Sequence, residues 1–394
     1  MTRKKREIII YLWLNLTVVL ICSAKCDLDS TEDYEEHCIC IDCNCKDQVK
    51  LPTPPGSPKT LVSAGKRITS SHSNASGLIN GDYGDSNVWA ASELPAWVAI
   101  EVGGGICELL LLWTSSNNWN HVQVDWGAPI SYRIETSADS TNGSNGTWTV
   151  AKNVDNNTFS KRSHRIHFCG QRWVRFTVLS DSGSPHHTRL HQIELHDNSN
   201  GEIDGWLFFG DSITEQAFTR IAPKLPAFAT LMWEADPDHY PMQINGGQAG
   251  DSATRALPRL KHTLDTLDGI NVVALCLGTN DLSATTEGRE RYRSAMRELI
   301  TEVQSRGKIA IIPRVPWSLV TYLNTQQKEM FVQIIDDLRQ EFALPAGPDL
   351  FDFFRTNTQY FTDESHFFPE GSKEINRLWA EAAGRFQKDL LYFQ

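Results

Sequence analysis

The sequence predicts two folded halves of different class. An all-β jelly-roll sandwich spans residues 60–198, and a three-layer α/β/α domain with a parallel sheet spans residues 201–394. Three observations carry this. A chain of 394 residues is too long for one ordinary core. Residues 60–198 show short apolar or alternating runs punctuated by Gly, Asn, Asp and Ser, with no useful helix-period stretch between them. After residue 201 the apolar runs alternate with amphipathic stretches, the pattern of a parallel sheet covered on both faces.

The chain begins in the form of an export signal, residues 1–24. Arg3-Lys4-Lys5-Arg6 precedes an apolar stretch from Ile8 to Ile21, and Cys22-Ser23-Ala24 offers small residues for cleavage. That stretch is shorter than the roughly 20 residues a spanning helix needs. The expectation is a secreted, periplasmic or extracellular protein with no transmembrane span after signal removal; an uncleaved anchor is the alternative. Residues 25–59 hold Cys26, Cys38, Cys40, Cys43 and Cys45, then the Pro-rich linker Leu51–Pro58. These cysteines suit either a zinc site or local disulfides, the state an oxidising compartment favours. A formal charge of −11 with no basic stripe excludes a nucleic-acid role.

In the first half the expected strands are Trp97–Val102, Glu108–Trp113, Ser131–Thr136, Trp148–Val150, Arg165–Phe168, Trp173–Val178 and Leu190–Leu195. Cys107 and Cys169 lie at strand edges, either paired or as two buried thiols. Asn74, Asn142, Asn145 and Asn156 head N-glycosylation sequons. The ordered pieces Leu78-Ile-Asn-Gly-Asp82, Trp89-Ala-Ala-Ser92, Trp97–Gly103, Tyr132–Asp139 and Arg172-Trp-Val-Arg-Phe176 resemble the discoidin-like, galactose-binding β-sandwich family. The resemblance implies an eight-stranded jelly roll that often holds glycans, in some members with a structural calcium near the Asn80-Gly81-Asp82 turn. Trp113, Trp119 and Trp126 with the loop Ser115–His121 are the candidate sugar face, since a ring can stack on a pyranose while Asn and His bond its hydroxyls. Core or interface packing is the competing role for each.

In the second half, strands are expected at Trp206–Phe209, ending at Asn245, at Asn271–Leu277 and at Lys308–Ile312, with helices near 255–267, 288–306, 326–342 and 369–391. Ser212 follows the first strand in Gly210-Asp-Ser-Ile-Thr214, at the mouth of a helix where backbone N–H groups face outward. The turns after the other strands are Asn245-Gly-Gly-Gln-Ala-Gly250 and Gly278-Thr-Asn-Asp281, and Asp363-Glu-Ser-His366 lies near the end. Taken in order, these four blocks resemble the SGNH (GDSL-type) serine hydrolases, which implies their flavodoxin-like fold and an esterase activity.

The residues suit the chemistry. A serine hydroxyl needs a base to become nucleophilic, and His366 supplies the side-chain type best suited to that role at neutral pH. Asp363, three residues earlier, can reach His366 Nδ1 and fix its tautomer. Ser212 N–H, Gly247 N–H and the Asn280 amide are the expected oxyanion hole; His239 and His262 are alternative bases. Trp233, Arg314, Trp317, Tyr240 and Tyr322 lie on loops that could frame substrate, with Trp119 the candidate from the sandwich. The expected function is removal of a short acyl group, acetyl above all, from a carbohydrate by an exported serine esterase with no required cofactor. The alternatives are a lipid or general short-chain esterase, an acyl transferase, or a glycan-binding protein with an inert hydrolase domain.

Overall fold

The computed structural model describes residues 61–80, 88–115, 127–183, 188–199, 204–218, 227–237 and 239–391. The export signal, the Cys-rich segment and linker, most of the expected calcium turn, Trp119 and Trp126 fall outside these residues. No helix among the described residues is long and apolar enough to cross a membrane.

The first half is an antiparallel β-sandwich. One sheet contains β1 (Ile68–Ser70), β3 (Ala96–Glu101), β8 (Trp173–Asp181), β5 (Pro129–Ser137) and β6 (Thr149–Val154) in that spatial order. The other is β10 (Gln192–Asp197), β4 (Glu108–Thr114) and β7 (Lys161–His167). A two-stranded pair, β2 (Trp89–Ala90) with β9 (Arg189–Leu190), completes it. Alternate residues of both sheets face inward, among them Val98, Ile100, Leu109, Leu111, Trp113, Tyr132, Phe176 and Ile193. Trp113 is fully buried against Tyr132 and Phe176, which makes it a core residue and removes it from the candidate sugar face. Cys107 and Cys169 form a disulfide.

The second half is a doubly wound α/β layer. Its parallel strands β11 (Gly205–Gly210), β12 (Met242–Gly247), β13 (Val272–Cys276), β14 (Ile309–Arg314) and β15 (Ala346–Asp349) stand in the order β12-β11-β13-β14-β15. Leu207 and Phe209 join a core with α3 (Ala253–Thr266), α4 (Thr286–Ser305) and α5 (Thr325–Glu341). Trp206 and Phe208 face the opposite way, against α1 (Ser212–Phe218), α2 (Phe228–Ala235), α6 (Leu350–Thr356) and α7 (Pro369–Leu391). The chain leaves β11 toward β12 and then crosses back to β13, so the carboxyl ends of β11 and β13 flank a topological switch point, where such sheets bind ligands.

The two halves share a core. Leu109, Leu111 and Trp113 of β4 point into the sandwich, whereas Leu110 and Leu112 pack among Leu207, Leu264 and Ile270 of the α/β layer. Gly269 at φ +77° has no room for a side chain, because a Cβ there would lie 2.4 Å from Leu110. Beside it Ser163 Oγ donates to the Asp268 carbonyl at 2.6 Å, and Arg165 N–H donates to the Asp268 carboxylate at 3.0 Å. The described residues accordingly belong to one compact unit.

Candidate active site

Local packing first fixes the nucleophile turn. A Cβ on Gly210 would lie 2.1 Å from Thr214 Oγ1 and 2.6 Å from the Cys276 carbonyl, so only glycine lets β11 turn directly into α1. Asp211 then caps the helix, its carboxylate accepting from Ile213 N–H at 3.0 Å and its carbonyl from Glu215 N–H at 2.9 Å. Burial pushes the Asp211 carboxyl up to about 7, with Asp281 adding to the rise and the Ile213 and Thr214 N–H groups opposing it. Ser212 is left as the first residue of α1, half-buried, its own N–H donating to none of the described residues.

Ser212 Oγ lies 2.9 Å from His366 Nε2, and His366 Nδ1 lies 2.9 Å from Asp363 Oδ2. Asp363 Oδ1 accepts from the N–H groups of Ser365 and His366, both at 2.8 Å. These two donors, with His366 Nδ1 beyond them, hold the Asp363 carboxyl down at about 2. An ionised Asp363 requires a proton on Nδ1, which leaves Nε2 as the acceptor facing Ser212.

The segment carrying Asp363 and His366 is tied down from both sides. Thr362 N–H donates to the His366 carbonyl at 2.9 Å. From the loop after β14, Leu319 N–H and Ser318 Oγ both reach the Glu364 carbonyl, at 2.7 and 2.8 Å. Lys328 Nζ donates to the Ser318 carbonyl at 2.7 Å and sits 4.3 Å from the Trp317 ring centre. Trp317, itself half-buried against Phe351, therefore belongs to a loop bonded to the His366 segment.

Asn280 follows β13, and its amide donates to the Asp251 carbonyl at 2.7 Å, next to Gly250. Asp281 accepts from Ala253 N–H at 2.9 Å and caps α3. The turns after β12 and β13 are thereby joined.

Gly247 is not free to serve as expected. It is the last residue of β12, and its N–H donates to Asn245 Oδ1 at 2.9 Å. A Cβ there would meet Glu215 N at 2.2 Å, so this glycine exists to let α1 pack on β12. Gly250 fits the part better. It lies at φ +70° with open space where a side chain would be, and its N–H donates to none of the described residues. The signal available in the sequence is its place directly before Asp251-Ser252 at the start of α3, outside the strand.

Two of the expected substrate residues are placed elsewhere. Arg314 is committed to a bidentate pair with Asp336, at 2.7 and 3.2 Å, and to Asp349 at 2.6 Å, so it braces β14 against α5 and the end of β15. Trp233 is exposed on α2, with its indole N–H bonded to Pro237 O. His239, two residues further on, bonds Asp204 at the opening of β11, the end of the sheet opposite Ser212. Of the alternative bases, His239 is held there and His262 lies against Phe159, with ring centres 5.1 Å apart. Tyr240 is buried near His196, at 6.3 Å, and Tyr322 is exposed. Among the described residues no group of three or more His, Cys, Asp and Glu could hold a metal ion.

No curated protein matches the chain. Among solved structures, a lipase/acylhydrolase from Enterococcus faecalis is 22% identical over 46% of this chain and 97% of its own, with a TM-score of 0.37. An acetylxylan esterase from Geobacillus stearothermophilus is 16% identical over 46% and 94%, with a TM-score of 0.38. A chitosan-binding module of a chitosanase/glucanase from Paenibacillus sp. IK-5 is 19% identical over 34% and 97%, with a TM-score of 0.28. The model of the GDSL-like lipase/acylhydrolase family matches residues 208–377, and that part of the chain is a domain of this family.

Proposed function

We propose that the protein is an exported serine esterase that removes short acyl groups, acetyl first, from a carbohydrate. The observation that carries the reaction is the hydrogen-bonded chain from Ser212 through His366 to Asp363. Ser212 Oγ attacks the ester carbonyl as its proton passes to His366 Nε2, and Asp363 stabilises the imidazolium. Ser212 N–H, Gly250 N–H and the second amide hydrogen of Asn280 receive the developing oxyanion. His366 then protonates the departing sugar oxygen. Water, losing its proton to the same histidine, attacks the acyl-serine and releases the acid.

The carbohydrate part rests on the fused sandwich and its resemblance to glycan-holding domains. The reaction class rests on the site itself. The test is release of acetate from a panel of acetylated polysaccharides, and of p-nitrophenol from esters of increasing chain length, by the full chain and by Ser212→Ala. Loss of both activities in Ser212→Ala supports the assignment, and undiminished turnover sinks it. A preference for long acyl chains would favour a lipid esterase and overturn the carbohydrate reading.

A further inference from the structure

Beneath the site a single guanidinium joins three separate segments. Arg259 on α3 donates through Nε to Asp251 Oδ2 at 2.8 Å, through Nη1 to the Gly246 carbonyl at 2.7 Å and through Nη2 to the Gly210 carbonyl at 3.0 Å. Its Cζ lies 3.7 Å from the centre of the Phe209 ring. Both charged partners are nearly out of water, with side chains 10% and 8% exposed. The acceptors are not arbitrary. Gly210 stands two residues before Ser212, and Asp251 directly follows Gly250. The same two neighbourhoods meet again where Gln248 N–H donates to the Gly210 carbonyl at 3.0 Å. Asp251 O in turn receives the Asn280 amide.

We infer that Arg259 is a positioning residue that sets the distance between Ser212 and the oxyanion donors Gly250 and Asn280. This deepens the esterase reading and rests on it. A buried arginine serves this purpose because its donors are fixed in one plane and can meet three acceptors at once. A lysine at the same place keeps the charge but offers a point from which it cannot span the carbonyl ends of β11 and β12 together with Asp251. Arg259 bonds the backbone carbonyls of Gly210 and Gly246 and the Asp251 carboxylate, not substrate, so the residue acts on the geometry of the transition state and not on substrate affinity.

The experiment compares the parent with Arg259→Lys and with Asp251→Asn, in the full chain, on p-nitrophenyl acetate. Circular dichroism and a thermal melt verify the fold of each variant, and Asp251→Asn, which keeps size and shape, decides the matter if the lysine chain does not fold. An oxyanion donor displaced by about 1 Å costs on the order of 10²-fold in rate. The expected result is therefore a kcat lower by roughly 10- to 100-fold in Arg259→Lys and less in Asp251→Asn, with KM within about 3-fold of the parent. A variant that folds and keeps the parent kcat, or one whose loss falls on KM alone, overturns the role of Arg259. A parent chain that hydrolyses no short ester instead overturns the esterase reading, and this role with it.

Discussion

Replacing Asp363 with Asn tests the proposed reaction at the atom where it is most sensitive. Asp363 Oδ1 already holds two backbone N–H groups, from Ser365 and His366, each at 2.8 Å. An asparagine must keep its carbonyl oxygen there, so its NH₂ takes the place of Oδ2, 2.9 Å from His366 Nδ1. Nδ1 then accepts a hydrogen bond instead of donating one. The ring proton moves to Nε2 and faces Ser212 Oγ, which can no longer give up its own proton. A wrong tautomer of this kind costs about 10⁴-fold in kcat when the acid is buried. Here the Asp363 side chain is 57% exposed and water can compete for Nδ1, which brings the expected loss toward 10³-fold, or about 4 kcal/mol of barrier. The assay is kcat on p-nitrophenyl acetate beside a thermal melt. The fold should survive, because both backbone bonds to the side chain are retained. A kcat within about 10-fold of the parent would refute the tautomer argument.

Three further outcomes follow from the packing. Asp211 titrates higher in the fold than its ordinary 3.8, near 7, so the folded chain binds the extra proton between those values and stability falls as pH rises from about 4 to about 7. The upper bound is roughly 4 kcal/mol; chemical denaturation across that range should show the decline in the parent and its loss in Asp211→Asn, and a flat parent profile would contradict it. Leu110→Ala and Leu112→Ala should each cost about 2–5 kcal/mol, and calorimetry should give one cooperative transition for both halves; two well-separated transitions would contradict a shared core. Arg314→Ala should lower the melting temperature while leaving KM near the parent value, and Trp317→Ala should raise KM, both read from steady-state kinetics on an acetylated sugar; the reverse pattern would return Arg314 to the substrate.

The architecture was legible because the signals were local. Trp206 to Phe209 is an apolar run ended by glycine, and the alternation in Ser131–Thr136 reads directly as a half-buried strand. β15 was not expected, since Ala-Gly-Pro-Asp offers no apolar run and only a sheet edge tolerates its proline. At the site, Ser212, Asn280, Asp363 and His366 were legible as candidates because each lies in a short block that its immediate neighbours define, and Ser212, His366 and Asp363 are hydrogen-bonded in series. Gly247 misled because two of the three glycines after Ile244 still belong to the strand, and the period of a strand says nothing about where its last residue lies. Arg314 misled for a different reason. Its partners Asp336 and Asp349 lie 22 and 35 residues away, and such pairings are visible only once α5 and β15 have packed.

The leucine run of β4 carries a consequence for anyone who would rebuild this protein. Odd positions, Leu109 and Leu111, serve the sandwich, and even positions, Leu110 and Leu112, serve the α/β layer. With both faces greasy, polarity alone gives the strand no preferred side, and its pairings with β7 and β10 must set which side faces which half. Exchanging the sandwich for a foreign glycan-binding module would strip away one wall of the hydrolase interior. A graft therefore has to bring its own Leu-x-Leu strand, aligned on Asp268 and Gly269, whatever sugar it is meant to recognise.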